Sequence, residues 1–279
     1  MKNRLSLIGA VATYCITSIA SFPSASGSTY VSTNDVADAF VTSGSSNNAN
    51  ANANYGGTGA LMVAGSASGN GTFETLIKFD LSGAKSNFDT LYGVGNWSIT
   101  NVTITLRSNF GIQGAQPNNA IFPKINTGGF SVTWMTNDSW TEGAGSPSAP
   151  SVYPTTGGSL ATDITFNNLA GFQSVSDETL GSFTYTPPGN NTNQPSAYSL
   201  ATGSTIGFLT DISNGSMVSL LFAPTDTTVS YLFDSRSLSS GAYVPSLSVS
   251  ASAVPEPRFL SLLALGMAIL LFTGRRNKC

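Results

Sequence analysis

Several short runs of this chain place apolar residues on one face of a period-two pattern and polar residues mainly on the other. Between Phe73 and Asp80, the residues Phe73, Ile77 and Phe79 share one face, whereas Glu74 and Lys78 share the other. Because successive side chains of a strand point to opposite faces, this pattern predicts a strand with one buried face. The same period of two recurs in five further runs, whose apolar faces carry Val102, Ile104 and Leu106; Phe130, Val132 and Trp134; Phe183 and Tyr185; Val229, Tyr231 and Phe233; and Leu247 and Val249. Such repetition predicts an all-β, antiparallel sandwich.

Two segments depart from this alternation. The run Met217–Pro224 is apolar on both faces, which predicts a central strand. A short helix is predicted just before it, with Ser204 as its cap and Asn214-Gly215 as its end. The residues expected to pack this helix are Ile206, Phe208 and Leu209. The Asn- and Ala-rich stretch 45–57 is predicted to be a loop inside one domain, because a strand pattern resumes at Ala60.

Both termini predict export. Lys2 and Arg4 precede an apolar stretch over 5–19 and then small residues, which is typical of a signal peptide and sets a first segment of 1–27. The β-sandwich domain is assigned to 28–252. The last segment, 253–279, contains an apolar run of about fifteen residues, or roughly 22 Å of helix. That length is just short of the about twenty residues that a comfortable membrane span needs.

The C-terminal segment also carries a motif. Pro255 and Pro257 keep Glu256 extended in front of the apolar run, and Arg275 and Arg276 follow it. This order resembles the PEP-CTERM sorting signal of Gram-negative bacteria. The resemblance implies an exosortase, a membrane-embedded cysteine protease, as processing partner. It also implies a membrane-inserted precursor and a final location in the cell envelope, at the cell surface or in the extracellular matrix. Pro255, Glu256, Pro257, Arg275 and Arg276 are therefore the predicted sorting residues.

The charge of the mature domain restricts its partners. Removal of both ends takes away Cys15 and Cys279, so no disulfide is expected in the remaining domain. Five basic and thirteen acidic side chains remain, which gives a net charge of −8. This sparse acidic surface argues against nucleic acid as a partner. The abundance of Ser, Thr, Asn and Gly suits contact with neutral sugars or an ordinary secreted surface.

The order of the predicted elements carries a second resemblance. From Asp35 to Ser250 it is similar to DNRLRE-type exported domains, which are jelly-roll β-sandwiches akin to carbohydrate-binding modules. The family's Asp-Asn-Arg-Leu-Arg-Glu string is absent. No cofactor is predicted. A structural Ca²⁺, common among jelly rolls, is left open by the sequence, with Asp38, Asp226 and Asp234 as candidate oxygen ligands.

The chain contains no histidine, which excludes Ser-His-Asp and Cys-His catalysis. Paired carboxylates for sugar hydrolysis remain conceivable, and the best local pair is Asp138 and Glu142, which flank Trp140. The competing interpretation of this loop is a turn whose carboxylates accept backbone N–H groups. We therefore predict no catalytic residue and no enzyme.

The same loop is the candidate for ligand binding. Trp140 is expected either to offer a flat face for a sugar ring or to belong to the core, whereas Trp134 is expected in the core. Asp138 and Glu142 would accept hydrogen bonds from sugar hydroxyls. The sequence thus predicts a noncatalytic exported protein associated with exopolysaccharide or biofilm. The alternative is a secreted polysaccharide-degrading enzyme or its accessory module.

Overall fold

The computed structural model describes residues 27–32, 35–44, 50–109, 119–147, 151–152, 160–189, 193–203, 205–238 and 244–254, together with Gly266. The predicted signal peptide, the Pro-Glu-Pro motif, the basic tail and Ser204 lie outside these residues, as does the apolar C-terminal run apart from Gly266. Within the described ranges, none of the helices combines the length and the apolar character that a membrane span requires.

Strands dominate the described chain. They are β1 Ser28–Ser32, β2 Asp35–Thr42, β3 Ala53–Asn54, β4 Ala60–Ala64, β5 Phe73–Asp80, β6 Trp97–Arg107, β7 Gly128–Met135, β8 Ser151–Val152, β9 Glu178–Tyr185, β10 Pro195–Leu200, β11 Met217–Pro224, β12 Ser230–Asp234 and β13 Ser246–Ala253. The helices are α1 Ser82–Tyr92, α2 Phe166–Leu169 and α3 Ile206–Asn214, and a 3₁₀ turn covers Ser66–Ser68.

Two antiparallel sheets carry the fold. The smaller sheet has the order β1-β13-β6-β10. The larger sheet contains β2-β5-β11-β7-β9, and the β4–β12 pair joins it where Ala64 meets Phe73. A bridge between Ser108 and Phe233 connects β6 to β12 and so links the two sheets. The predicted antiparallel β architecture is confirmed, and β11 is central, between β5 and β7, as its two apolar faces predicted.

The main core lies between the sheets. The alternating apolar residues of both sheets fill it, including Ile77, Ile104, Val132 and Phe222, each fully buried. Trp134 is 5% exposed and belongs to this core, as predicted. Aromatic rings pack closely within it; Tyr185 and Tyr231, for example, stack with centroids 3.9 Å apart. The period-two pattern therefore identified the inward faces correctly.

The helices only partly follow the sequence prediction. Helix α3 ends where expected, and Gly215 terminates it with a positive φ of 68°, but its N-cap is Thr205 and not the predicted Ser204. Phe208 is buried and Leu209 packs against the core in part, as predicted, whereas Ile206 is 79% exposed and Ile212 is buried in addition. Helix α1 was not predicted. Its buried Ala84 and Phe88 are separated by four residues, so its apolar stripe is too narrow to be evident from the sequence.

Candidate functional site

The segment Thr136–Pro147, which we call the Trp140 loop, lies on the outer face of the larger sheet. Trp140 is fully buried there, and its Nε1 donates to Ser219 Oγ at 2.9 Å. It joins a second apolar cluster with Val41, Leu76 and Leu221, which point away from the main core. Of the two alternatives for Trp140, the exposed one is therefore wrong and the buried one is right. Its ring covers apolar side chains on the outer face of the sheet, which would otherwise be exposed to water.

Asp138 is held by the same sheet. Its carboxylate accepts from the hydroxyl of Ser219. Lys78 Nζ donates to the backbone carbonyls of Asp138 and Trp140, each at 2.7 Å, and lies 4.4 Å from the Trp140 ring centroid. Burial lowers the pKa of Lys78 and raises the pKa of Asp138. These contacts fix the loop to the sheet. Asp138 therefore has a structural role, as the turn interpretation expected, although its donor is the Ser219 hydroxyl and not a backbone N–H group.

Glu142 forms an ion pair with Arg236, which follows β12. Arg236 Nε donates to Glu142 Oε2 at 2.8 Å, and a second guanidinium nitrogen contacts the same oxygen. The Glu142 side chain is 11% exposed and that of Arg236 is 38% exposed. Burial raises the pKa of Glu142, and the hydrogen bond from Arg236 opposes this shift. Asp138 and Glu142 thus have different partners, and the structure does not combine them into one facing pair.

A buried carboxyl pair lies next to this ion pair. Asp38 accepts from Ser235 Oγ and from the backbone N–H of Arg236, both at 2.7 Å. Asp35 is 6% exposed, and neither of its carboxyl oxygens meets an N–H or hydroxyl donor of the described residues. Burial and then the charge of Asp38 raise the pKa of Asp35 well above its ordinary value. Burial also raises the pKa of Asp38, while its bonds from Ser235 and Arg236 oppose this shift. A protonated Asp35 can donate its own O–H to Asp38, so the surroundings favour the neutral form at Asp35.

The three candidate calcium ligands do not converge. Asp38 takes part in the carboxyl pair, whereas Asp226 accepts from the backbone N–H groups of Gly129, Thr228 and Val229. Asp234 accepts from Asn109 Nδ2 at 2.7 Å. In the part of the chain that the structure describes, no group of three or more acidic side chains has a metal-binding arrangement. The candidate ligand set therefore does not form among the described residues, and calcium binding stays the open alternative that the sequence left.

The adjacent carboxylates Asp177 and Glu178 act in backbone capping. Glu178 accepts from the first N–H groups of α3, at Gly207 (2.8 Å) and Phe208 (3.2 Å). Asp177 accepts from the backbone N–H of Thr136 at 2.9 Å. Each carboxylate thus satisfies donors that a helix end or a turn leaves free.

A cavity of about 240 Å³ combines apolar walls with a few polar groups, and we call it the Asn109 cavity. Its lining side chains include Thr58, Asn109, Asn119, Phe122, Pro147, Leu232 and Leu238. It is smaller than the roughly 300–1,000 Å³ of drug-sized ligand sites. A single sugar ring or a chain end would suit this size. Sequence reasoning missed this site because its residues come from five separate segments, none of which carries a motif.

Asn109 links the cavity to a buried acid. Its Nδ2 donates to Asp234 Oδ1, while Asp234 Oδ2 has no hydrogen-bond partner among the described residues. Burial raises the pKa of Asp234 to about 6. Asn119 has its own local contact, because its Oδ1 accepts from the backbone N–H of Ile121 at 3.1 Å. The polar side of the cavity is thus held in place by hydrogen bonds.

Two larger depressions lie on either side of the Ser66–Ser68 turn, with volumes of about 330 and 340 Å³. Lys124, Asn126 and Thr228 contribute to the first, and Glu74, Thr225 and Asp226 to the second. None of the described residues that line them is aromatic. The Asn109 cavity therefore offers the better combination of an apolar surface and hydrogen-bonding groups for a sugar.

Comparison with known proteins adds one match and one negative result. Residues 29–111 match the model of carbohydrate-binding module family 96. This stretch covers β1 through β6 and includes Thr58 and Asn109 of the cavity. It makes up less than a third of the chain. No curated protein matches the chain. The family match supports carbohydrate binding as the class of function for this sandwich.

Proposed function

We propose that this chain is a noncatalytic, exported carbohydrate-binding protein with a jelly-roll-like sandwich. The observation that carries the proposal is the match of residues 29–111 to a family of carbohydrate-binding modules. The absence of histidine from the sequence and the structural roles of Asp138, Glu142, Asp177 and Glu178 are consistent with a binding protein.

The Asn109 cavity is the proposed binding site. Phe122 supplies an apolar surface, and Asn109, Asn119 and Thr58 supply groups that can exchange hydrogen bonds with sugar hydroxyls. The net charge of −8 in 28–252 favours a neutral glycan over an anionic one. An exopolysaccharide of the host, in a biofilm or a surface layer, is the proposed ligand.

A matched pair of substitutions tests this site. Asn109→Leu removes a polar group from the Asn109 cavity, whereas Asn126→Leu makes the same change in the depression beside the Ser66–Ser68 turn. In affinity electrophoresis on host exopolysaccharide, we expect Asn109→Leu to lose most retention and Asn126→Leu to keep it. Thermal melting checks that both variants fold. Equal retention of both variants would exclude the cavity, and release of reducing sugar by the unmodified protein would favour the enzyme alternative.

We further propose that the precursor is sorted by an exosortase in a Gram-negative bacterium. Pro255, Glu256 and Pro257 would be read outside the membrane, with Arg275 and Arg276 on the cytoplasmic side. Replacing Pro255-Glu256-Pro257 with alanines is expected to leave the full-length chain in the inner membrane. The control replaces Pro187 and Pro188, in the loop after β9, and should be delivered normally. Normal delivery of the triple-alanine variant would contradict the sorting proposal.

A further inference from the structure

Exposed apolar side chains gather where the described domain ends. Leu91 is 54% exposed, Val94 is 79% exposed and Val254 is 44% exposed. With the half-buried Tyr92 and Trp97 they form a surface that we call the exit patch. Val254 directly follows β13, so the patch lies at the C-terminal end of the last strand.

Local backbone geometry brings these residues together. Helix α1 ends at Tyr92, and the next turn contains Gly93 and Gly95, with φ of 88° and 74°. These left-handed positions suit glycine and place Val94 at the tip of the turn. Strand β6 then begins at Trp97, which pairs with Ala253, and Val254 N–H donates to Asn96 O at 2.9 Å. The patch is therefore one contiguous surface.

The aromatic residues of the patch have apolar rings and anchored polar ends. Trp97 packs against Phe88 at 5.1 Å between centroids, and its Nε1 donates to Asp89 Oδ1 at 2.9 Å. Tyr92 Oη donates to Ala251 O at 3.2 Å. Asp89 is also paired with Lys85, so the charges beside the patch are neutralised. Tryptophan and tyrosine in such settings are typical of membrane–water interfaces.

The length of the tether links the patch to a membrane. In the sequence, the apolar run begins at Phe259, only five residues after Val254, a distance of at most about 18 Å in an extended chain. A bilayer that holds this run would therefore lie close to the exit patch. The run is apolar on all sides, which suits lipid better than docking on a small patch.

We propose that the exit patch contacts the lipid interface of the bilayer while the C-terminal run is still inserted in it. This inference rests on the membrane-inserted precursor of the proposed function. The mature domain has a net charge of −8, so a zwitterionic surface is preferred over an anionic one. Contact would hold the Pro-Glu-Pro motif at a fixed height above the membrane before processing.

Fluorescence quenching in vesicles tests the contact. The precursor without its predicted signal peptide, residues 28–279, is reconstituted into phosphatidylcholine vesicles that contain a lipid brominated near its headgroup, and flotation measures insertion of the C-terminal run. Trp134 and Trp140 are 5% and 0% exposed, so quenching of tryptophan emission should report Trp97. We expect Leu91→Ser with Val94→Ser to lower this quenching by about threefold or more, because interfacial binding scales with buried apolar area. Flotation should be unchanged.

The control is Leu160→Ser with Val175→Ser, which removes two exposed apolar side chains outside the patch and should leave the quenching unchanged. Flotation without quenching of the unmodified chain would overturn the proposal while leaving the membrane tail intact. Failure to float would overturn both, whereas carbohydrate binding would still be measured separately by affinity electrophoresis. An equal loss of quenching in the control pair would also overturn the proposal. So would a dimer of the unmodified chain that dissociates on Leu91→Ser with Val94→Ser, because a second copy of the chain would then cover the patch.

Discussion

The two apolar clusters of this domain form in different ways. The main core lies between two sheets, and its residues follow the alternation of the strands on both sides. The second cluster lies on the outer face of the larger sheet, where single apolar residues such as Leu76 and Leu221 are interspersed with Lys78 and Ser219. A polar loop closes this second cluster by inserting Trp140. A sheet face with a polar pattern can thus still be buried when a loop forms hydrogen bonds with its polar groups.

The largest expected effect comes from removing the residue that closes the second cluster. Trp140→Ala should lower the free energy of unfolding by about 3–5 kcal/mol, as for aromatic residues of a main core. Chemical denaturation of the domain measures this, with Phe222→Ala as the reference for the main core. A loss below about 1 kcal/mol for Trp140→Ala would show that the loop is only loosely held on the sheet.

A smaller effect is expected from the polar contacts that hold the loop. Lys78→Met removes the two bonds from Nζ to the carbonyls of Asp138 and Trp140, which should lower the free energy of unfolding by about 1–3 kcal/mol. Lys85→Met is the matched control: it removes a partly exposed ion pair with Asp89 and should change the free energy of unfolding much less than Lys78→Met does, because solvent screens an exposed pair. Equal effects in urea denaturation would contradict a special role for Lys78.

The smallest expected effect is a pH dependence from Asp35. A carboxyl group with a raised pKa keeps its proton to higher pH in the folded chain than in the unfolded chain. Its contribution to the stability of the fold is therefore full below a pH of about 3.8, the unfolded-state pKa, and is lost as the pH rises through the folded-state pKa. Asp35→Asn has no such titration. The stability of this variant relative to the unmodified domain should therefore increase as the pH rises from about 3 to about 8.

Asp226→Asn provides a control of opposite sign. Hydrogen bonds from backbone N–H groups, that of Gly129 above all, lower the pKa of Asp226 to about 2. Its contribution is present above about 3.8 and is lost as the pH falls towards 2, so the relative stability of Asp226→Asn should decrease with rising pH. Urea denaturation at several pH values measures both variants. Parallel pH profiles for Asp35→Asn and the unmodified domain would contradict the neutral form of Asp35.

Local patterns were sufficient for most of the strands. The alternation in β5, β6 and β7 identified their inward faces, and the two apolar faces of β11 identified the central strand. In β12 the predicted face is buried, but so is every other residue of the strand. The end of α3 followed from Gly215. These features could be predicted because each depends on neighbours within one segment of the sequence.

The candidate site was less accessible from the sequence. Asn109, Asn119, Phe122 and Leu238 form one cavity although they are separated by as many as 129 positions, and no local motif marks them. Likewise, Arg236 could not be assigned to Glu142, because that ion pair depends on how the chain after β12 meets the Trp140 loop.

The sequence by itself determined the strands, the faces that they bury and the exclusion of histidine chemistry, because side-chain alternation and residue type are local properties. The tertiary structure decided that Trp140 is buried, that Asp35 meets Asp38 and that the candidate calcium ligands lie apart. Each of those outcomes depends on which distant segments come into contact. The polarity of immediate neighbours, which made Trp140 look exposed, does not report the apolar sheet face that lies beneath it.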